Sequence, residues 1–579
     1  MKKNVNSDKL HALLYCVTPP TEEQRKGLLG FLERKYGPSE LEIVSDPSLK
    51  GGFVLHAGAD VYDWSVKGRL RQLRRSLDIG NADADNVIPL LKEKIASFDL
   101  DRKSEERGKV ISVGDGIATL SGLDNAEYGE ILIFDSGVKG MVQDLRPGEV
   151  GCILFDAESE VGQGSTAVRS GRTAGMPVGD AFLGRVVNAL GEPIDGLGAI
   201  ERAGFDPIET PAPGILDRQP VNKPLETGMI AIDSMFPIGR GQRELIIGDR
   251  QTGKTTIAVD TILNQKGKDV ICIYVAIGQK ASSVAQTVET FRRGGALAYT
   301  SVVVATASDP APLQYIAPYA GCALAEYFMN AGKDVLIVYD DLSKHAVAYR
   351  ALSLLLGRSP GREAYPGDVF YLHSRLLERS AHLSDAKGGG SMTALPIVET
   401  QAGDVSAYIP TNIISITDGQ IFLESNLFFS GQRPAVNVGL SVSRVGGAAQ
   451  FKALRKAAGT LRIDLAQYRE MEVFTQFSGD LDEATKEQLV YGQGLMRLLR
   501  QPLHSPMSLS DQVITLVAAM EKAFVSVPPA DIKSKQREML DKFSAFHAEI
   551  IDEINDKKTL DDDLRARITG ALAEFGMIS

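Results

Sequence analysis

The sequence predicts a multidomain α/β protein: a small N-terminal α/β domain, a β-barrel, an α/β core on a parallel sheet, and a C-terminal helical domain. Three observations predict it. The 579 residues exceed what one hydrophobic core serves. From Gly108 to Met176, short apolar segments alternate with glycines, the texture of a small all-β barrel. From Pro177 to Gln450, β-branched runs alternate with helical stretches, and strand signals vanish from Phe451 onward. The segments read from these shifts are 1–80, 81–107, 108–176, 177–450 and 451–579.

In the first segment, Thr21-Glu22-Glu23-Gln24 fits a capping box, with Leu28, Leu32 and Tyr36 following at helical spacing. Gly37-Pro38 stops that helix. Leu41-Glu42-Ile43-Val44 and Phe53-Val54-Leu55-His56 predict two strands. A basic helix, with Lys67, Arg69, Arg71, Arg74 and Arg75, closes the segment. Asn81 to Asp85 predicts a linker, and Val87, Leu90, Leu91, Ile95 and Phe98 a short amphipathic helix. Glu130 to Phe134 and Gly151 to Phe155 are strand candidates of the barrel.

Composition narrows the function classes. Hydrophobic residues at 44% and charged residues at 24% are ordinary for a globular protein. A formal charge of -11 argues against a nucleic-acid-coating role. Cys16, Cys152, Cys272 and Cys322 lie far apart without a CxxC pair, which predicts buried thiols rather than a disulfide frame or zinc site. The N-terminus has no signal-peptide or transit-peptide character, and no stretch reaches the roughly 20 apolar residues a membrane helix needs. Membrane association is therefore expected only through partners.

Glu244-Leu245-Ile246-Ile247 leads into Gly248-Asp249-Arg250-Gln251-Thr252-Gly253-Lys254-Thr255, and a helical run continues from Thr256. This is G-x-x-x-x-G-K-[ST] in the strand–loop–helix setting that makes a phosphate-binding loop. The glycines let backbone amides turn inward, Lys254 places a charge at the phosphates, and the Thr255 hydroxyl is a hard ligand for Mg²⁺. The apolar strand Val335 to Tyr339 ends in Asp340-Asp341, and Asp340 is the candidate second metal ligand. An Asp in that place is also a ready helix N-cap.

These segments, with Tyr274 to Lys280, Tyr339 to Lys344, Gly361 to Asp368, Glu399 to Asp404 and Ser441 to Gly447, resemble the alpha subunit of F-type ATP synthases from about Asp85 to the C-terminus. The resemblance implies a RecA-like core binding ATP and Mg²⁺, and a ring of three alpha and three beta chains around a gamma shaft. It also implies a peripheral place on the cytoplasmic side of a bacterial membrane. Relatives that hydrolyse ATP carry Glu where this chain has Gln279, and an amide is no base. Arg444 matches the arginine finger that reaches the catalytic site of a neighbouring beta chain, with Ser441 and Ser415 on segments near that interface. Phe428, Arg433, Pro434 and Gln501 match positions around the adenine. A second Gln two places beyond Gln501 is usual there, but this chain has Leu503. Glu399 is an alternative acid.

The preceding segment, from about residue 10 to 77, resembles the C-terminal domain of the delta subunit. That implies a grip on the peripheral stalk b subunit, in place of or beside a separate delta, with the basic helix facing an acidic coiled coil. Two other classes stay open. An autonomous hexameric ATPase, such as a secretion motor or a Rho-type helicase, conflicts with Gln279 and with the absence of a nucleic-acid-binding domain. A scaffold outside any ring would need neither the phosphate loop nor Arg444.

Overall fold

The structure, a computed structural model, describes residues 10–49, 51–58, 60–66, 68, 105–155, 160–475 and 483–578. The basic helix, the linker and the amphipathic helix expected between 67 and 104 fall outside the described residues, apart from Gly68. The chain divides into two compact units, one through Ala174 and one from Gly175.

The first unit opens with strand β1 (Leu10–Cys16), the helix Glu22–Tyr36 and strand β2 (Ser39–Ser45), which pairs parallel to β1. The capping box forms: the Gln24 amide donates to the Thr21 hydroxyl, and the Thr21 amide to the Gln24 side-chain oxygen. Strand β3 (Phe53–Ala57) pairs antiparallel with β1, and β4 (Asp60–Asp63) with β3. Leu14, Leu32, Leu41, Leu55 and Tyr62 form the core between helix and sheet. Strands β1 and β4 escaped the sequence reading; β4 has only four residues, with a carboxylate at each end.

Six strands follow: β5 (Glu105–Gly114), β6 (Ile117–Ser121), β7 (Glu130–Phe134), β8 (Lys139–Arg146), β9 (Glu149–Leu154) and β10 (Thr166–Thr173). Their order is β10-β7-β8-β9-β6-β5, and β10 also pairs with β5, so the barrel closes. It begins at Glu105, inside the span read as linker, because charged residues gave no strand signal there. Arg169 supplies the reason for that extension: its guanidinium reaches Glu106 at 3.3 Å and the buried Glu130 at 2.9 Å, drawing the start of β5 into the barrel wall. Beyond the barrel, β5 pairs antiparallel with β4 (Asp60 opposite Glu106, Val61 opposite Glu105), so both sheets of this unit are continuous.

The second unit is built on an eight-stranded sheet. In spatial order its strands are Val186–Asn188, Thr300–Thr306, Val270–Gln279, Asp334–Asp340, Ser391–Glu399, Leu245–Gly248, Gly419–Leu423 and Val442–Ser443. All neighbours are parallel except the last pair. Near-continuous runs such as Val270 to Ile277 are what a sheet covered on both faces requires. From Lys452 onward only helices occur among the described residues. Their apolar faces (Leu454, Leu465, Val513, Phe543, Leu572) share one core cluster with Ile246, Val338 and Ile397 of the sheet. The four cysteines are buried and free, and among the described residues no helix is long and apolar enough to cross a membrane.

Arg379 lies almost wholly buried in this unit and forks onto Glu326, with Nε to Oε1 at 2.7 Å, while Nη1 donates to the Ile208 carbonyl. Replacing one partner leaves the other charge buried and unpaired, which costs about 3–5 kcal/mol. Arg379→Met should therefore destabilise the second unit selectively. Far-UV circular dichroism in denaturant reads that unit's helices, while fluorescence of Trp64, the single tryptophan, reads the first unit and should hardly change.

Candidate functional site

The sheet's parallel strands bring the C-terminal ends of four neighbours together, carrying Gln279, Asp340, Glu399 and Gly248 in that lateral order. A ligand crevice outside the carboxyl ends of the strands is where open α/β sheets bind. There lies a cavity of about 350 Å³. Gln251 to Ile257 form one wall; Gln279, Asp340, Asp341 and Glu399 form another; Phe428, Arg433, Pro434, Gln501, Pro502 and Leu503 line the far end.

The phosphate-loop geometry follows from its residues. Gly253 has φ +94°, a left-handed conformation that a side chain would strain, and it opens the helix Lys254–Leu263. A Cβ at Gly248 would stand 2.5 Å from the Leu423 carbonyl, so that glycine is fixed by strand packing. Asp249 and Arg250 do not line the cavity; they brace it. The Asp249 carboxylate accepts from the Thr400 hydroxyl at 2.6 Å, the Gly403 amide at 2.8 Å and the Ser425 hydroxyl at 2.8 Å. Burial pushes that carboxyl up, but these donors and Lys254 together hold it below its usual range. The Asp249 carbonyl accepts from Lys254 Nζ and, at 2.8 Å, from the Thr252 hydroxyl. Arg250 is exposed and pairs with Glu399 at 3.0 Å.

Lys254 is buried, and desolvation lowers its pKa against the pull of Glu399, Asp341, Asp340 and Asp249. Thr255 donates to Asp340 Oδ2 at 2.8 Å, Tyr274 to the same oxygen at 2.7 Å, and the Gln279 amide to Oδ1 at 2.9 Å. Burial raises the Asp340 carboxyl, with Tyr274 and Thr255 opposing. Asp341 is pushed up to about 7 by burial, and Asp340 adds to the rise. The N-cap role falls to Asp341, whose carboxylate accepts from the Lys344 amide at 2.8 Å, so Asp340 is left to face the cavity. Thr255 and Asp340 thus present two hard oxygens side by side, and the desolvated carboxyl is one a divalent cation would compensate.

At the far end, the Arg433 guanidinium stacks on the Phe428 ring at 4.5 Å. Gln501 lines the cavity, but its amide is already occupied. It donates to the Gly228 carbonyl at 2.6 Å and the Ser505 carbonyl at 2.9 Å, and accepts from the Ile230 amide at 3.2 Å. Its structural part is to hold the far end of the cavity in shape. Leu503 lies there exposed. Sequence reasoning missed Asp260, which lines the cavity, accepts from the His504 backbone amide at 3.2 Å and has its Oδ1 3.0 Å from His504 Nδ1. The signal was available: Thr256 and Asp260 are four apart on the phosphate-loop helix and so share one of its faces.

Like Gly248, Asp249 and Arg250, the three residues expected near a subunit interface lie off the cavity. Ser441 is fully buried and its hydroxyl accepts from the Phe422 amide at 2.9 Å. Ser415 is exposed and donates to the Asn412 carbonyl at 2.7 Å. Arg444 is exposed beyond the edge strand Val442–Ser443, its amide donating to the Asp418 carbonyl at 2.8 Å.

A strand ending in a glycine-closed loop, a buried lysine at the helix start and an acid ending a nearby parallel strand define a P-loop nucleotide-binding protein. The chain belongs to the ATP synthase alpha/beta family, on its alpha-subunit side. Residues 228–443 match the nucleotide-binding domain of that family, 450–575 its C-terminal domain and 103–171 its beta-barrel domain. Residues 2–77 match the ATP synthase delta (OSCP) subunit, so a delta-like segment is fused in front. ATP synthase subunit alpha of Caldanaerobacter subterraneus subsp. tengcongensis is 60% identical over 491 residues, covering 85% of this chain and 97% of that protein. The same subunit of Acetivibrio thermocellus is 59% identical over 492 residues, 85% of this chain and 97% of that one. That of Clostridium kluyveri is 57% identical over 498 residues, 86% and 99%.

Loss of one charge-assisted contact to a phosphate costs about 1.5–3 kcal/mol. Lys254→Ala should therefore weaken nucleotide binding at this cavity by roughly 10- to 150-fold. Equilibrium titration of the purified chain with a fluorescent nucleotide analogue measures it; unchanged affinity would remove Lys254 from the site.

Proposed function

We propose that this chain holds Mg-ATP in its own cavity without turning it over and supplies Arg444 to the catalytic site of a neighbouring beta chain. The carrying observation is the pairing of a complete phosphate loop with Gln279. Its amide points a donor at Asp340 rather than a base at a water. Activation of the attacking water by a carboxylate base is what such a site lacks: the Gln279 amide oxygen can accept a hydrogen bond from water but cannot take its proton. Glu399, the alternative acid, is paired with Arg250. Thr255 and Asp340 are the residues that would hold Mg²⁺, which neutralises phosphate charge when bound. Lys254 would hold the phosphates, and the slot of Phe428, Arg433, Pro434 and Leu503 would take the adenine.

Arg444 supports the second half of the reading. It is exposed, outside its own cavity, and the same edge strand is anchored by the buried Ser441. A guanidinium stays charged and forks onto phosphate oxygens, so it suits a charge that grows in transfer. Ser441 acts as the anchor of that strand; Ser415 is a surface residue on the adjoining helix Tyr408–Ile416.

In this reading three such chains alternate with three beta chains around the gamma shaft, peripheral to the membrane, and couple ion flow to ATP synthesis. The delta-like segment contacts the peripheral stalk b subunit. Its family match and its βαβ-based sheet support that role.

In the assembled complex, Arg444→Ala should lower multi-site ATP turnover by about 10³-fold or more while nucleotide stays bound to this chain. Near-normal rates would exclude the finger. Intact mass of the native complex tests the fusion: three copies of this chain without a separate delta subunit are expected, and a full-length delta alongside would assign the stalk grip elsewhere.

A further inference from the structure

A row of residues runs across three adjacent strands behind Arg444. Leu245 pairs with Gln420, which places Glu244 beside Gly419, and Gly419 pairs with Ser443 on the strand that leads into Arg444. Glu244 is fully buried. Its Oε2 accepts from the Gln242 amide nitrogen at 2.7 Å, and that nitrogen also reaches the Ser443 hydroxyl at 3.3 Å. Its Oε1 has no hydrogen-bond partner among the described residues. The carboxyl lies in the space that Gly419 leaves: a Cβ there would stand 2.4 Å from Oε2.

A buried acceptor without a donor costs about 1–3 kcal/mol, more when charged, so Oε1 needs a reason. Two cations are near. Arg243 is committed to Asp418, with Nε to Oδ2 at 3.0 Å and Nη2 to Oδ1 at 2.8 Å, and it also pairs with Glu378. That leaves Arg444, whose backbone amide is tied to Asp418, the residue before Gly419.

We propose that Glu244 is a positioning residue for Arg444, its carboxyl giving the guanidinium an acceptor on its own chain. The inference rests on the reading of Arg444 as the residue that reaches a neighbour's phosphates. The side chain then has two seats, one at Glu244 and one across the interface. Burial and Asp418 push the Glu244 carboxyl well above its usual range, while Gln242 and Arg444 oppose that shift.

The test is a double-mutant cycle in the assembled complex. Glu244→Gln should lower the multi-site turnover number by about tenfold with KM for ATP and nucleotide occupancy of this chain unchanged. In an Arg444→Ala background the same substitution should change nothing. Glu244→Asp, which keeps the carboxyl on a shorter arm, should restore part of the rate. Equal losses in both backgrounds, or no loss in either, would overturn the assignment of Glu244 while leaving Arg444 in place. Near-normal turnover by Arg444→Ala alone would instead bring down the finger reading and this one with it. Should Glu244→Gln fail to assemble, Glu244→Asp carries the cycle with the same arms.

Discussion

A carboxylate at the end of the central strand must be satisfied away from water, and that constraint organises the second unit. Asp340 is only 2% exposed, yet it receives donors from Thr255, Tyr274 and Gln279. Each donor sits on a different part of the fold: the phosphate-loop helix, the middle of the neighbouring strand, and that strand's end. Taking a carboxylate out of water costs several kcal/mol unless its lone pairs are filled. The three contacts therefore lock helix register, strand register and cavity wall to one another. A slip of one residue in the pairing of Tyr274 with Val338 would turn Tyr274 to the other face of the sheet and strand the charge.

Asp249 does on the loop what Asp340 does on the strand. Its carboxylate gathers Thr400, Gly403 and Ser425, groups more than 150 residues away in sequence, and so fixes the loop before any ligand arrives. A cavity held open by protein contacts binds a ligand without first ordering its own backbone, which keeps that entropy out of the binding step.

Much of this was legible in the chain alone, because its signals are local. Gly253 and Lys254 belong to a contiguous motif whose backbone demands a glycine, and Asp340 ends an unmistakable apolar strand. Phe428, Arg433 and Pro434 came from resemblance, and the structure brings them to the same cavity. What the sequence hid depends on distant partners. Gln501 carries the right chemistry for a purine, but Gly228, Ile230 and Ser505 claim its amide first. Asp260 reads as one more polar residue on a helix until His504, 244 positions on, arrives beside it. Strand β4 has too little apolar content to announce itself and exists because β3 and β5 flank it. The C-terminal helices were legible as helices, but not that they share a core with the sheet, since amphipathic faces do not name their partners.

The pairing of β4 with β5 changes what the fusion means mechanically. A domain tethered by slack chain transmits no force until the chain is taut. Here Asp60 and Val61 lie opposite Glu106 and Glu105, so the delta-like sheet runs into the barrel wall through backbone hydrogen bonds. Whatever pulls on the first sheet pulls on the barrel at once, and the strain is shared by a ladder rather than a string. The joint is a two-residue ladder set in one continuous sheet, so a displacement of the first sheet reaches the barrel wall directly instead of first taking up slack.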